Sequence, residues 1–487
     1  MLSNPFYPIV KKSLLLLVLT SLVSWGTRAQ GNLHQQSKTY EWPTDPQVLA
    51  KLDHWRDQKF GMIIHWGIYA VPGIIESWSI CSEDWIERDS TIAYEDYKDW
   101  YWGQSEQFNP VNFNPEQWAT AAKSAGMRYV VFTTKHHDGF AMFDTQESDY
   151  KITNGPFKND PRANVAKYVF DAFRKEDFLI GAYFSKPDWH TPYYWWPKYA
   201  TADRNNNYDI RKHPWRWNQF KEYTYNQIRE LTHDYGKVDI LWLDGGWVRP
   251  LETVNDEVRA WGADIPEWSQ DIDMPRIAEM AREAQPGLLI VDRTVHGPYE
   301  NYQTPEQQIP AEKIDHPWES CITLGHAWGY VPDQHFKSPA KVIHNLIEVV
   351  AKGGSLLLGV GPKPDGTLEE EVITRLAAIG DWLDQNGAAI YETRPVDQYR
   401  DGSVYFTQHK SGKTHYALVP VPEGEALPAT ISWTGNVPKK GSALKLLATG
   451  TKLKWQAEGN RVTVTLPEKV RQQLGTTPAL ALSFTHN

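Results

Sequence analysis

Short apolar runs alternate with amphipathic stretches along most of the chain, and that alternation predicts its elements. The runs Phe60-Gly61-Met62-Ile63-Ile64, Met127 to Thr133, Phe178 to Phe184, Val238 to Leu243, Leu288 to Asp292, Trp318 to Ile322 and Ser355 to Val360 are short and bounded by turn residues, so they read as buried strands. Between and after them, helical periodicity predicts helices from Asn114-Pro115 to Gly126, Ala163 to Glu176, Trp217 to Asp234, Met274 to Ala284, Ser338 to Lys352 and Thr367 to Gln385. Asn114 before Pro115 is a cap followed by a first-turn proline, and Gly126 is a stop. Strand-then-helix repetition implies a parallel α/β fold. The number of repeats fits a (β/α)8-type, TIM-like barrel with room for a degenerate last strand.

From about Pro395 the period changes to two. Val404-Tyr405-Phe406, Tyr416 to Val419, Thr430 to Trp433, Leu444 to Leu447, Lys452 to Trp455, Val462 to Leu466 and Leu480 to Phe484 read as short strands parted by Gly, Pro and charged turns. They predict a C-terminal antiparallel β-sandwich over residues 395–487, after a barrel over 46–394. At the other end, Lys11-Lys12, an apolar run from Ser13 to Val23 and Thr27-Arg28-Ala29 form a secretory signal over residues 1–29, followed by a polar linker over 30–45. The apolar run is too short to span a bilayer comfortably. No Asn-x-Ser/Thr sequence occurs in the chain, which leans the reading toward bacterial export to the periplasm or the medium.

Composition narrows the classes. Net charge is −10 and the isoelectric point about 5.9, which argues against nucleic acid and against a basic membrane patch. No Gly-x-Gly-x-x-Gly follows a strand and no P-loop appears, so nucleotide binding has no support, and no cofactor is expected. Cys81 and Cys321 are the two cysteines, and the sequence leaves open whether they pair. The 23 Trp and 24 Tyr are more than a core needs. Most must pack the interior, but flat aromatic faces also suit the C–H faces of sugars.

Candidate chemistry collects where such barrels place it, at the C-terminal ends of strands. Those ends carry His65, His136, His137, Tyr183, Asp244 and Arg293. Asp244 stands out, because Val238 to Leu243 is a buried strand and Gly245-Gly246 breaks it directly after the carboxylate. An acid lodged between Trp242 and Trp247 is poorly solvated and is either structurally paired or chemically used. Glycoside hydrolysis needs two carboxyls about one bond. For the second, Glu300, Glu306, Glu312 and Glu319 compete equally on the residues alone. Adjacent His136 and His137 point to opposite faces of an ideal strand, so His137 reaches a ligand only if the strand end twists.

The ordered motifs Phe60-Gly61-Met62-Ile63-Ile64-His65-Trp66-Gly67, Lys135-His136-His137-Asp138-Gly139-Phe140, Trp242-Leu243-Asp244, Asp292-Arg293, Tyr302-Gln303-Thr304-Pro305-Glu306 and Lys352-Gly353-Gly354-Ser355-Leu356-Leu357-Leu358 resemble those of the retaining α-L-fucosidases of glycoside hydrolase family 29. The resemblance covers about Trp55 to Thr393. It implies exo-acting hydrolysis of terminal α-L-fucosyl residues from oligosaccharides or glycans by double displacement. It implies that Asp244 is the nucleophile and Glu306 the acid/base. His65, His136, His137 and Trp242 then match sugar-binding positions, Arg293 an arginine beside the catalytic carboxyl, and Trp328 an aromatic on the sugar methyl. Glu76 and Trp78 resemble an adjacent Glu-Trp pair, here split by Ser77. Tyr183 falls where the family often has Tyr-Tyr-Ser, and Phe184 removes one hydroxyl.

Two other classes use similar residues. A metal-dependent barrel hydrolase would want a chelating His-x-His pair, which His65-Trp66-Gly67 lacks, so no metal is expected. A non-catalytic glycan-binding protein would keep the aromatics and lose one carboxyl, whereas Asp244 and Glu306 are both present.

Overall fold

The computed structural model describes residues 35–486 apart from 84, 202, 263 and 264, so the predicted signal segment lies outside the described residues. Seven parallel strands build the first sheet: β1 (Phe60–Ile64), β2 (Tyr129–Lys135), β3 (Leu179–Ser185), β4 (Ile240–Asp244), β5 (Leu289–Asp292), β6 (Glu319–Thr323) and β7 (Ser355–Val360). Their order is β5-β4-β3-β2-β1-β7-β6, the order of a barrel opened between β5 and β6. Helices precede β2, β3, β4, β5 and β7, but no helix among the described residues separates β5 from β6.

The opening is closed by irregular chain. After β5 the backbone turns back, with Asn301 N donating to Ile290 O at 2.9 Å. It then runs parallel to β6, where Glu319 N donates to Gln303 O at 2.8 Å, Cys321 N to Pro305 O at 3.0 Å and Gln307 N to Cys321 O at 2.8 Å. Glu306 therefore sits on a hydrogen-bonded strip in the barrel wall rather than on a loop over its mouth. This strip is the degenerate eighth element.

The strands are buried along their length because helices cover one face and barrel-interior side chains the other. The helix Val165–Lys175 shows the pattern, burying Val165, Ala166, Val169, Phe170, Ala172 and Phe173 along one side. The helix Pro46–Gln58, unread in the sequence, plugs the floor. Asp45 caps it, Val48, Leu52 and Trp55 face inward, and the Trp55 ring stacks on Tyr302 at 4.0 Å. With the floor sealed, the barrel interior opens at the C-terminal ends of the strands.

The second sheet has eight antiparallel strands: β8 (Thr393–Asp401), β9 (Val404–His409), β10 (His415–Pro420), β11 (Thr430–Thr434), β12 (Leu444–Leu446), β13 (Lys452–Glu458), β14 (Arg461–Thr465) and β15 (Ala479–Phe484). The order is β11-β14-β13-β12-β15-β10-β9-β8. It curls on itself, since Trp433 of β11 meets Phe406 of β9 at 5.9 Å and Thr434 N donates to Asp401 of β8 at 2.9 Å. The result is a nearly closed sandwich around its own apolar core. Trp382 and His344, on the last two barrel helices, contact the backbone oxygens of Ala479 and Pro478 at 2.9 and 2.7 Å. Cys81 and Cys321 are both buried and unbridged. No helix among the described residues is long and apolar enough to cross a membrane.

Candidate active site

One cavity at the open end of the barrel, with about 460 Å3 of empty space partly open to solvent, is lined by His65, Glu76, Trp78, His136, His137, Tyr183, Trp242, Asp244, Arg293, Glu306 and Trp328, with Ile63, Trp247 and Cys321. Every site residue expected from the sequence lies in this wall. His65 follows β1, His136 and His137 follow β2, Tyr183 is in β3, Trp242 and Asp244 end β4, and Arg293 follows β5. Glu76 and Trp78 come from the loop after β1, and Trp328 from the loop after β6. Gly359 in β7 makes room for Trp328, since a Cβ there would stand 2.7 Å from the indole.

Asp244 is held as an anion. Its Oδ1 accepts from Gly245 N at 2.9 Å and from Arg293 Nη1 at 3.2 Å, and its Oδ2 accepts from the Tyr183 hydroxyl at 2.6 Å. Burial alone would raise its pKa, but the Arg293 charge and the Tyr183 hydrogen bond outweigh that and hold the carboxyl well below the usual carboxylate range. Arg293 also donates through Nη2 to Glu306 Oε2 and through Nε to Thr304 Oγ1 at 3.2 Å. One guanidinium thus touches two of the three carboxyl groups in the cavity wall, Asp244 and Glu306. Burial opposes the charge of Arg293, but Glu306 and Asp244 keep it firmly protonated.

The other face of Glu306 accepts from Trp328 Nε1 at 3.1 Å, and that indole lies 4.9 Å from the His65 ring. The three rival glutamates go elsewhere. Glu300 is buried behind the site, where its Oε1 accepts from Thr294 N at 3.0 Å and burial pushes its pKa up to about 8. Thr294 carries a φ of 62°, rare for a β-branched residue, and Arg249 also holds it through its carbonyl at 2.8 Å. Glu319 lies beneath Trp242, accepting from Trp242 Nε1 at 3.2 Å and Tyr129 OH at 2.9 Å, and burial raises it to about 7. Glu312 reaches Tyr399 in β8 at 3.3 Å.

His136 and His137 both face the cavity, because β2 ends at Lys135 and the backbone turns immediately afterwards. The strand rule that counted against His137 stops applying one residue earlier. Ser77 Oγ lies 2.5 Å from His136 Nδ1, and Ser185 Oγ lies 2.7 Å from His137 Nδ1. Ser77, which splits Glu76 from Trp78, therefore turns away to hold a histidine, while Glu76 accepts from Gly329 N at 2.9 Å. Burial lowers His65 to about 3 and His136 to about 4, and depresses His137 strongly, so all three rings are neutral at ordinary pH. Sequence reasoning noted Trp247 only as a flank of Asp244 and gave Ser77 and Ser185 no role in the site. The one signal for them was their place within or beside the motifs. Trp78 and Trp247 flank His137 at 5.2 and 5.4 Å.

His136, His137 and Asp244 bring ligand atoms within 4.8 Å of one another, a set that a divalent ion could use. Asp244, however, already spends its oxygens on Arg293, Gly245 and Tyr183. A cation would have to compete with the guanidinium there, so the donors fit a metal poorly.

A closed-floor barrel with two carboxylates bridged by one arginine, and neutral histidines and indoles around the same small cavity, defines a glycoside-hydrolase type of site. The family profile described as alpha-L-fucosidase matches residues 27–388, and this chain belongs to that family, glycoside hydrolase family 29. It is 27% identical to the plasma alpha-L-fucosidase of Pongo abelii, over 91% of this chain and 92% of that protein. It is 28% identical to the tissue alpha-L-fucosidase of Rattus norvegicus, over 90% of each. Alpha-L-fucosidase isoenzyme 1 from Paenibacillus thiaminolyticus superposes with a TM-score of 0.72 at 31% identity, covering 91% of this chain and all of that one.

Proposed function

We infer that this protein is an exo-acting α-L-fucosidase that releases terminal α-L-fucosyl residues from oligosaccharides or glycans with retention of configuration. The observation that carries the reading is the single guanidinium of Arg293 set between two carboxylates of one cavity, in a chain of this family. Asp244, ionised and aimed into the cavity, attacks the anomeric carbon, and Glu306 protonates the departing oxygen. To do so, Glu306 must let go of Arg293 or share it with the substrate. Water, deprotonated by Glu306, then cleaves the Asp244 ester. The neutral histidines and Glu76 supply hydrogen bonds to ring hydroxyls, and Trp78, Trp242 and Trp328 supply apolar faces for a deoxy sugar.

We assign this chemistry to residues 46–394 and a folding role to 395–487, none of whose described residues lines the cavity. The charged and apolar stretch within residues 1–29 supports export to a periplasmic or extracellular location. The relatives include both animal and bacterial proteins, so the comparisons do not support the bacterial origin expected from the sequence.

The test is turnover of an aryl α-L-fucoside and of α1,2-, α1,3-, α1,4- and α1,6-linked fucosyl oligosaccharides, with and without EDTA. Release of fucose, first as the α anomer and insensitive to EDTA, is expected. EDTA inhibition reversed by zinc would favour a metal-dependent hydrolase at His136, His137 and Asp244. Binding without turnover of any substrate would make the protein a glycan-binding one.

A further inference from the structure

The two adjacent histidines are held by different hydrogen-bond chains. Ser185 Oγ lies 2.5 Å from Pro187 O, and a carbonyl only accepts, so the Ser185 hydrogen is committed there. The 2.7 Å contact between Ser185 Oγ and His137 Nδ1 must then have the ring nitrogen donating. A neutral imidazole with its proton on Nδ1 offers a bare lone pair at Nε2. That Nε2 stands 3.9 Å from Asp244 Oδ2, too far for a hydrogen bond.

At Ser77 the order is reversed. Asp138 N donates to Ser77 Oγ at 3.0 Å, so the hydroxyl hydrogen is free to point elsewhere, and His136 Nδ1 lies 2.5 Å away. The Ser77 hydroxyl also reaches the Asp138 carboxyl, but that carboxyl already accepts from the Tyr101 hydroxyl at 2.7 Å and Phe140 N at 3.0 Å, whereas the 2.5 Å contact to His136 Nδ1 is the short one. With the Ser77 hydrogen on this shorter contact, Ser77 donates to His136 Nδ1, and the proton of that neutral ring sits on Nε2.

We propose that Ser77 and Ser185 are positioning residues that hold His136 and His137 in opposite tautomers, so that the pair offers the sugar one N–H donor and one bare acceptor. The proposal rests on the fucosidase reading only for the identity of the sugar. A hydroxyl of the ligand accepts from His136 Nε2–H, and another donates to His137 Nε2. Such a pair distinguishes hydroxyls by their role. A fluorine in place of the hydroxyl at His136 can still accept weakly, whereas a fluorine in place of the hydroxyl at His137 removes the hydrogen the site requires.

The test uses the whole protein labelled with 15N-histidine, without substrate, at pH 7. Nitrogen shifts of neutral imidazoles separate the two tautomers directly. The expected result is a protonated Nε2 at His136 and a protonated Nδ1 at His137. Ser185→Ala should move the His137 proton to Nε2, and Ser185→Thr should restore it. Turnover should fall about tenfold in Ser185→Ala, the worth of one lost hydrogen bond. The loss should vanish for the deoxyfluoro fucoside that already lacks the His137 hydroxyl. The same tautomer on both rings, or a His137 signal indifferent to Ser185→Ala, overturns the proposal. Because the spectra need no turnover, an inactive wild type would sink the function while leaving the tautomer result standing.

Discussion

The phenolic hydroxyl of Tyr183, on β3, donates to Oδ2 of Asp244, at the end of the neighbouring β4, at 2.6 Å. Parallel pairing sets Tyr183 against Trp242 and Ser185 against Asp244, so the contact is diagonal and comes from side-chain reach. It does two things at once: it fixes the carboxylate's rotation, and it favours the ionised form that an attacking group needs.

Tyr183→Phe should therefore fold normally and lose about tenfold or more in kcat/KM, the range of one hydrogen bond to a charged group. The acid limb of the pH profile should move to higher pH, because one of the influences that lower the Asp244 pKa is gone. A profile with an unmoved acid limb would show that Tyr183 does not tune this carboxylate.

Asp244→Gly removes the attacking group and should cut turnover of an aryl fucoside by more than about 10³-fold. The space vacated by the side chain admits azide, which attacks from the same face. The expected product is the inverted β-fucosyl azide. Wild-type activity in the variant, or a rescued product of retained configuration, would reassign the nucleophile.

How much of this could be read from the chain depends on the distance over which each feature is decided. Asp244 was legible because a buried apolar run and Gly245-Gly246 fix its position locally. The parallel strands were legible for the same reason, each being a short apolar run and most having a helix between it and the next strand. The helix Pro46–Gln58 carried its signal, Asp45-Pro46 followed by Val48, Leu52 and Trp55, but it stands ahead of the first strand, outside the strand–helix repetition, and went unread. Choosing among Glu300, Glu306, Glu312 and Glu319 was beyond local reasoning. Four acids fall within residues 300–319, and the pairing of Glu306 with Cys321 across the barrel seam is what presents it to the cavity. Ser77 and Ser185 were invisible as partners of His136 and His137, because nothing in their own segments shows which loop the fold lays beside them.

Glu319 gives a stability test separate from catalysis. Burial raises its pKa to about 7, so the folded protein keeps that carboxyl protonated. In the unfolded chain it ionises above ~4.3. Between these values the unfolded state binds fewer protons, so this group's contribution to stability falls as pH rises, by about 1.4 kcal/mol per pH unit. Glu319→Gln cannot ionise. The melting temperature of the variant minus that of wild type should grow more positive from pH 5 to pH 8. A pH-independent difference would mean that Glu319 is not held protonated.

Glu306→Ala should separate the two halves of the reaction. An aryl fucoside with a good leaving group needs little protonation, so its first step should survive fairly well, and the Asp244 ester should accumulate for want of a base. A fucosyl oligosaccharide has a poor leaving group, and its turnover should fall by roughly 10²–10⁴-fold. Azide should accelerate the aryl reaction with retention, since the anion needs no deprotonation. The variant also frees Arg293 Nη2 from one of its two carboxylates, which would tighten its hold on Asp244 and could slow attack by itself. Glu306→Gln addresses this, because its amide oxygen can still accept from Arg293 and from Trp328 Nε1 while supplying no acid. If the loss comes from missing acid–base chemistry, Gln and Ala show the same dependence on leaving group. If it comes from a displaced Arg293, Gln recovers most of the activity on the oligosaccharide. Wild-type oligosaccharide turnover in both variants would move the acid/base role to another carboxyl, and Glu76, the other glutamate in the cavity wall, would be the next to replace.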